Sequence, residues 1–212
     1  MEDFEKFEKM DFLKDDPHLQ VRHISQYQAE KTEVLKLVFH DRYEEAFKLC
    51  CKLYEKELEM FGAEHPELLD TKSNLASLLI KVGRQKDSLK LQTELVKTHL
   101  KVNGPKHTKT LQCQTSLAKL LRDLGQFQEA AQVLSDVYEA EKDLKFKDKE
   151  KIDTLNTLVD IYEKDLKDVK KAIHYLEVKY EFLVNAKKYG REHDESVNTN
   201  IKLKVMKMDF KK

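Results

Sequence analysis

NLASLLIKVGRQKDSLKLQ (74–92) and SLAKLLRDLGQFQEAAQVL (116–134) are one pattern written twice, 42 residues apart. Leu75 stands over Leu117, Ala76 over Ala118, Leu78 over Leu120, Leu79 over Leu121, and Ser88 over Ala130. In both copies the apolar residues recur at i, i+3 and i+4, the spacing that puts them on one helix face. A glycine, Gly83 or Gly125, interrupts each copy, and glycine takes the left-handed conformation that ends helices at low cost. Each copy therefore predicts a helix, a turn and a second helix. The small residues on its two sides, Ala76 with Ser88 and Ala118 with Ala130, lie 12 residues apart and face each other where the helices approach.

The pattern extends outward. Gly62, Gly83, Gly104 and Gly125 follow one another at 21-residue steps, one stop per helix and one helical hairpin per 42 residues. Ala46, Ser88, Ala130 and Ala172 recur at strict 42-residue steps, whereas Val34, Ala76, Ala118 and Val159 slip by one residue at the last step. FGAEHPE (61–67), NGPKHTK (103–109) and YGREHDE (189–195) echo one another between hairpins, while the junction near Phe146 has neither Gly nor His. His65, His107 and His193 recur there as loop and cap residues. The hairpins are placed at 24–40 with 43–61, 67–82 with 85–102, 109–124 with 127–145, and 150–165 with 168–188. Residues 194–210 form a last helix covering the end of the array. The domain plan is an N-terminal segment or cap (1–23), a repeat array (24–190), and a C-terminal capping helix with a basic tail (191–212).

Composition agrees with an all-α chain. Only 5 Gly and 3 Pro occur among 212 residues, and charged residues make up 37%. Lys plus Arg equals Asp plus Glu at 39 each, without the basic excess that phosphate binding favours, so nucleic acid is not the expected partner. No apolar run approaches the roughly 20 residues of a membrane span. The acidic start MEDFEKFEKMDFLKDD resembles neither a secretory signal nor a mitochondrial transit peptide, and three cysteines without metal-ligand spacing fit a reducing compartment, so a cytoplasmic location is expected.

Leu117, Ala118, Gly125, Phe127, Ala130 and Leu134 together resemble the tetratricopeptide repeat. The other hairpins keep part of that set. Tyr43 and Ala46 remain in the first, with Asp41 at the glycine position; Gly83 remains in the second, with Gln85 for the aromatic; Ala172 remains in the fourth, with Lys167 for the glycine. The 42-residue period and the G-x-x-H-P/T loop are similar to the longer kinesin light chain type. HEAT and armadillo arrays have comparable periods but not the Gly-x-Phe/Tyr-x-x-Ala spacing.

The resemblance implies a right-handed superhelical solenoid of about four repeats whose first helices line a groove for a peptide or helix. Carried over by position, the groove residues are Lys31; Ser73, Asn74, Ser77 and Lys81; Thr115, Lys119 and Arg122; and Asn156 and Asp160. Asn74 and Asn156 stand where the family places an Asn that bonds a bound peptide's backbone, with Ser116 there in the third hairpin. Lys81, Lys119 and Arg122 would favour a partner carrying Asp or Glu. Against each residue singly stands the plainer reading of a solvated helix position.

Three readings of function follow. One is an adaptor or scaffold, including cargo binding of the kinesin light chain kind; the chain has no long heptad segment, so a stand-alone relative is the expectation. Another is an assembly factor or co-chaperone, weakened because Lys31 has apolar Leu35 and Val38 beside it. The least supported is an enzyme: no P-loop, GxGxxG, HExxH or GxSxG motif occurs, and no metal or cofactor is expected. Phe4, Phe7, Met10, Phe12 and Leu13 alternate with acidic residues, four of them in an i, i+3 stripe, and this N-terminal segment is read as a cap on the first hairpin or, more sharply, as a segment that competes for the groove. Oligomeric state is left open by the residues.

Overall fold

The computed structural model describes residues 17–142, 144, 148–186 and 188–210, with side chains from residue 26 onward. The N-terminal stripe and the basic tail lie outside the described residues. Every element in it is helical. The helices are α1 (Pro17–Phe39), α2 (Tyr43–Phe61), α3 (Pro66–Lys81), α4 (Gln85–Asn103), α5 (Thr108–Asp123), α6 (Phe127–Glu141), α7 (Asp148–Asp160) continued by a π turn (Ile161–Asp165), α8 (Val169–Asn185) and α9 (Asp194–Phe210). The chain divides into two compact units, one ending at Val102 and the other beginning at Asn103.

Most expected ends hold within a few residues. α1 begins at Pro17 rather than near residue 24, because proline suits the first helical position and no breaker stands between it and Phe39. α6 ends at Glu141, short of residue 145.

The turn inside each hairpin is the same device in four spellings. Asp41, Gly83, Gly125 and Lys167 follow at 42-residue steps, and all four take left-handed φ values of 59°, 79°, 78° and 58°. Two positions that lost glycine thus kept its conformation. Just past the turn, Arg42, Arg84 and Gln126 donate their N–H groups to the carbonyls of Leu37, Leu79 and Leu121, five residues back. Asp168 reaches six residues back, to Tyr162. The fourth turn therefore holds one extra residue, which the π turn at 161–165 absorbs. This is the physical origin of the slip at Val159.

Between hairpins, His65, His107 and His193 accept the N–H of Glu67, Lys109 and Glu195 on Nδ1 at 3.2–3.3 Å. Each satisfies an N–H that the first turn of α3, α5 or α9 would leave unpaired.

In the first unit α2 packs against both α1 and α3, and Tyr27, Val34, Leu37, Ala46, Cys50, Leu53, Leu75 and Leu78 form its buried cluster. Each such leucine contributes about 1.5–3 kcal/mol by leaving water. In the second unit α5, α6, α7, α8 and α9 pack in succession. Ala118, Ala130 and Ala172 are fully enclosed at the hairpin contacts. α9 covers its neighbours with Leu203 and Met206 and leaves Val197, Ile201, Val205, Met208 and Phe210 exposed.

Candidate interaction site

In the second unit, the first helices of the third and fourth hairpins, α5 and α7, leave a cleft of about 580 Å³ between them. Leu111 and Leu134 supply its apolar lining; Thr115, Ser116, Lys119, Arg122 and Asp123 enter from α5, and Glu150, Asp153, Thr154 and Thr157 from α7. Glu141, at the end of α6, is buried in the wall and accepts a 3.2 Å hydrogen bond from the Thr154 hydroxyl. Helical spacing accounts for the arrangement, since 112, 115, 116, 119, 122 and 123 share one face of α5, as do 150, 153, 154 and 157 on α7.

Three of the anticipated groove residues, Thr115, Lys119 and Arg122, therefore converge. Arg122 is engaged within the protein, its Nε 2.6 Å from Asp165 Oδ2. The carboxylates of Asp123, Glu141, Glu150 and Asp153 on the same walls were missed by the sequence reading, which followed the basic residues Lys81, Lys119 and Arg122.

Asn156 and Asp160 face elsewhere. They line a second cleft, of about 640 Å³, with Leu176 and Lys179 of α8 and Glu195, Asn198 and Lys202 of α9. The buried Lys179 ammonium donates to Asn156 Oδ1 at 2.8 Å and pairs with Glu195 at 3.0 Å, and Asp160 pairs with Lys164 at 3.0 Å. Because the π turn moves the register by one residue, Thr157 rather than Asn156 follows Asn74 and Ser116. Thr157 and Ser116 both line the first cleft.

In the first unit, Lys31 is committed to the protein. Its ammonium bonds the Glu67 carboxylate, lies 3.1 Å from the Tyr27 hydroxyl oxygen and sits over the Tyr27 ring. Asn74, Ser77 and Lys81 are exposed on α3 and Ser73 is half-buried; the Ser77 hydroxyl donates to the Ser73 carbonyl, and Lys81 lies over the Tyr43 ring.

Among the described residues no group of three His, Cys, Asp or Glu side chains could hold a metal ion. Burial pushes the Cys50 thiol up to about 12 and raises Cys51 as well, which holds both as thiols rather than nucleophilic thiolates. Nor is any described helix long and apolar enough to cross a membrane.

Helical hairpins with small-residue contacts, left-handed turns and a lined inter-helix cleft define an all-α helical-repeat fold. Residues 67–143 match the family model described as tetratricopeptide repeat. The fold is similar to the crystal structure of the nearly identical TPR-like repeats of a candidate kinesin light chain from Podosopora anserina, with TM-score 0.70 and 21% identity over 86% of this chain and 85% of that one. It is also similar to BtubC (BKLC) from P. vanneervenii, with TM-score 0.65 and 17% identity over 97% of this chain and 79% of that one. No curated protein sequence matches the chain. Tetratricopeptide repeats are in general protein-interaction scaffolds without catalysis of their own.

Proposed function

We propose that this chain is an adaptor or scaffold that holds a peptide or helix of a partner protein against the first helices of its hairpins. The α5–α7 cleft carries this reading: an apolar lining flanked by charged and hydroxyl side chains suits a polypeptide segment that buries an apolar anchor and bonds along its edges. Thr115, Ser116, Lys119 and Thr157 contact the segment there, and Ser73, Asn74, Ser77 and Lys81 offer the equivalent surface on α3. Asn156 and Asp160 extend it toward α9. The likeness to kinesin light chain repeats supports cargo holding as the particular form of the activity. Cys50, Cys51 and Cys113 carry thiols rather than disulfides, which fits a reducing compartment such as the cytoplasm.

The test is affinity capture from a native lysate with the wild-type chain and with Asn74→Tyr/Ser116→Tyr. Both positions are exposed, so the variant retains the wild-type melting temperature while its bulk obstructs α3 and α5. Loss of the captured polypeptides is expected; recovery of the same set in the same amounts would overturn the proposal.

A further inference from the structure

The first unit shows what two carboxylates do at one level of the repeat. Glu57, fully buried on α2, and Glu67, on α3, converge on the Lys31 ammonium of α1. Glu57 Oε1 lies 3.6 Å from that nitrogen and also accepts a 2.7 Å hydrogen bond from the Tyr27 hydroxyl. The pocket between α1 and α3 is thus filled by a cation from the chain itself.

In the second unit the same positions keep the acids and lose the cation. Eighty-four residues beyond Tyr27, Lys31 and Glu57 stand Leu111, Thr115 and Glu141. Eighty-three beyond Glu67 and Thr71, after the one-residue slip, stand Glu150 and Thr154. Where the Tyr27 ring and the Lys31 chain fill the first site, Leu111 and Thr115 are shorter, and the open cleft remains. Asp123, Glu150 and Asp153 on its walls make no ion pair among the described residues. Of the two cations there, Arg122 is held by Asp165, leaving Lys119 beside the carboxylates of Asp123, Glu150 and Asp153.

We propose that the α5–α7 cleft takes a Lys or Arg side chain of a partner polypeptide, its aliphatic stem against Leu111 and Leu134 and its charge beside Glu150 and Asp153, the place Lys31 fills in the first unit. The preferred partner segment is amphipathic and basic, with apolar residues beside its cations. This reverses the acidic preference expected from Lys81, Lys119 and Arg122, because those residues were read without the acids that α6 and α7 bring to them. The inference rests on the reading of the first-helix faces as a polypeptide site and names the chemistry that site selects.

The test uses a fluorescein-labelled amphipathic peptide of Leu and Lys and its Leu and Glu counterpart, titrated with the full chain by anisotropy at about 0.15 M salt. The Lys peptide is expected to bind at least about tenfold more tightly than the Glu peptide. Thr115→Lys supplies the missing cation in cis; it should raise the melting temperature and reduce Lys-peptide binding by about tenfold or more. Glu150→Gln/Asp153→Asn should weaken that peptide by a similar factor, and this variant decides the matter if Thr115→Lys fails to fold. Equal or tighter binding of the Glu peptide, or undiminished Lys-peptide binding by these variants, would overturn the inference. So would binding of neither peptide, in which case the lysate capture still decides the broader reading by itself.

Discussion

The Ser88 hydroxyl donates a 2.7 Å hydrogen bond to the carbonyl of Ala76, on the opposite helix of the same hairpin. Both residues are buried, and Gln92 Nε2 donates to the same hydroxyl at 3.4 Å. In the third hairpin the pair is Ala118 and Ala130, packed with no hydroxyl. Ser88→Ala should therefore be tolerated, at a cost of about 1 kcal/mol for the lost bonds. Ser88→Leu must force α3 and α4 apart and should cost about 1–3 kcal/mol more. Urea unfolding of the two variants checks the order; a leucine variant as stable as the alanine one would contradict close helix approach.

Lys31 should prove structural. Its hydrogen bond holds the Glu67 carboxyl below the usual carboxylate range. A carboxyl depressed in the native state stabilises the fold above its unfolded value of about 4.3 and loses that effect as pH falls through the native value. Lys31→Met should cost about 1–3 kcal/mol at neutral pH, since it also removes the cation beside buried Glu57. The gap from wild type should narrow as pH falls below about 4. Urea unfolding across that range reads it, and a gap independent of pH would rule the pair out as its cause.

Lys167 occupies a left-handed position without glycine's freedom. A non-glycine residue there costs roughly 1–2 kcal/mol, partly offset by the extra unfolded-chain entropy of glycine. Lys167→Gly should raise stability by about 0.5–1 kcal/mol, and Gly125→Ala should lower it by about 1 kcal/mol. Thermal melts of the two variants should shift in opposite directions. A destabilising Lys167→Gly would mean that the lysine side chain supports the turn.

Alkaline pH should weaken the protein through Cys50. Its native thiol is pushed up to about 12, first by burial and then by the nearby Cys51 and Glu57, from an ordinary 9.0. Between those values the unfolded chain releases this proton while the native chain keeps it, so stability falls with rising pH, by at most about 1.4 kcal/mol per pH unit from this group. Burial and Glu57 push the Tyr27 hydroxyl upward too, adding loss in the same direction above its ordinary 10.0. Cys50→Ala should flatten the decline between about pH 9 and 10.5. An identical slope in the variant would show that the thiol is not its source.

Most of the fold could be read directly from residue order. Glycine stops, histidine caps and small residues 12 apart act within one hairpin or one junction, where a residue's conformational preference and its neighbours in sequence settle the outcome. Even the slip at Val159 was visible, although its cause was not: the π turn shows itself only in hydrogen bonds reaching one residue further back. Lys167 and Asp41 hid their left-handed turns because nothing in their side chains announces a backbone angle that packing imposes.

The interaction site was legible only in outline. Thr115, Lys119 and Arg122 could be placed on one face of α5, because helical periodicity is a local property. Whether that face is basic or acidic depends on Glu141, Glu150, Asp153 and Asp165, which other helices deliver, and charges meet by distance through space rather than along the chain. For the same reason identical repeat positions became a closed ion pair around Lys31 in one unit and an open acidic cleft beside Thr115 in the other. Backbone geometry followed from short-range preferences in the chain, and electrostatic character emerged once separate helices had packed.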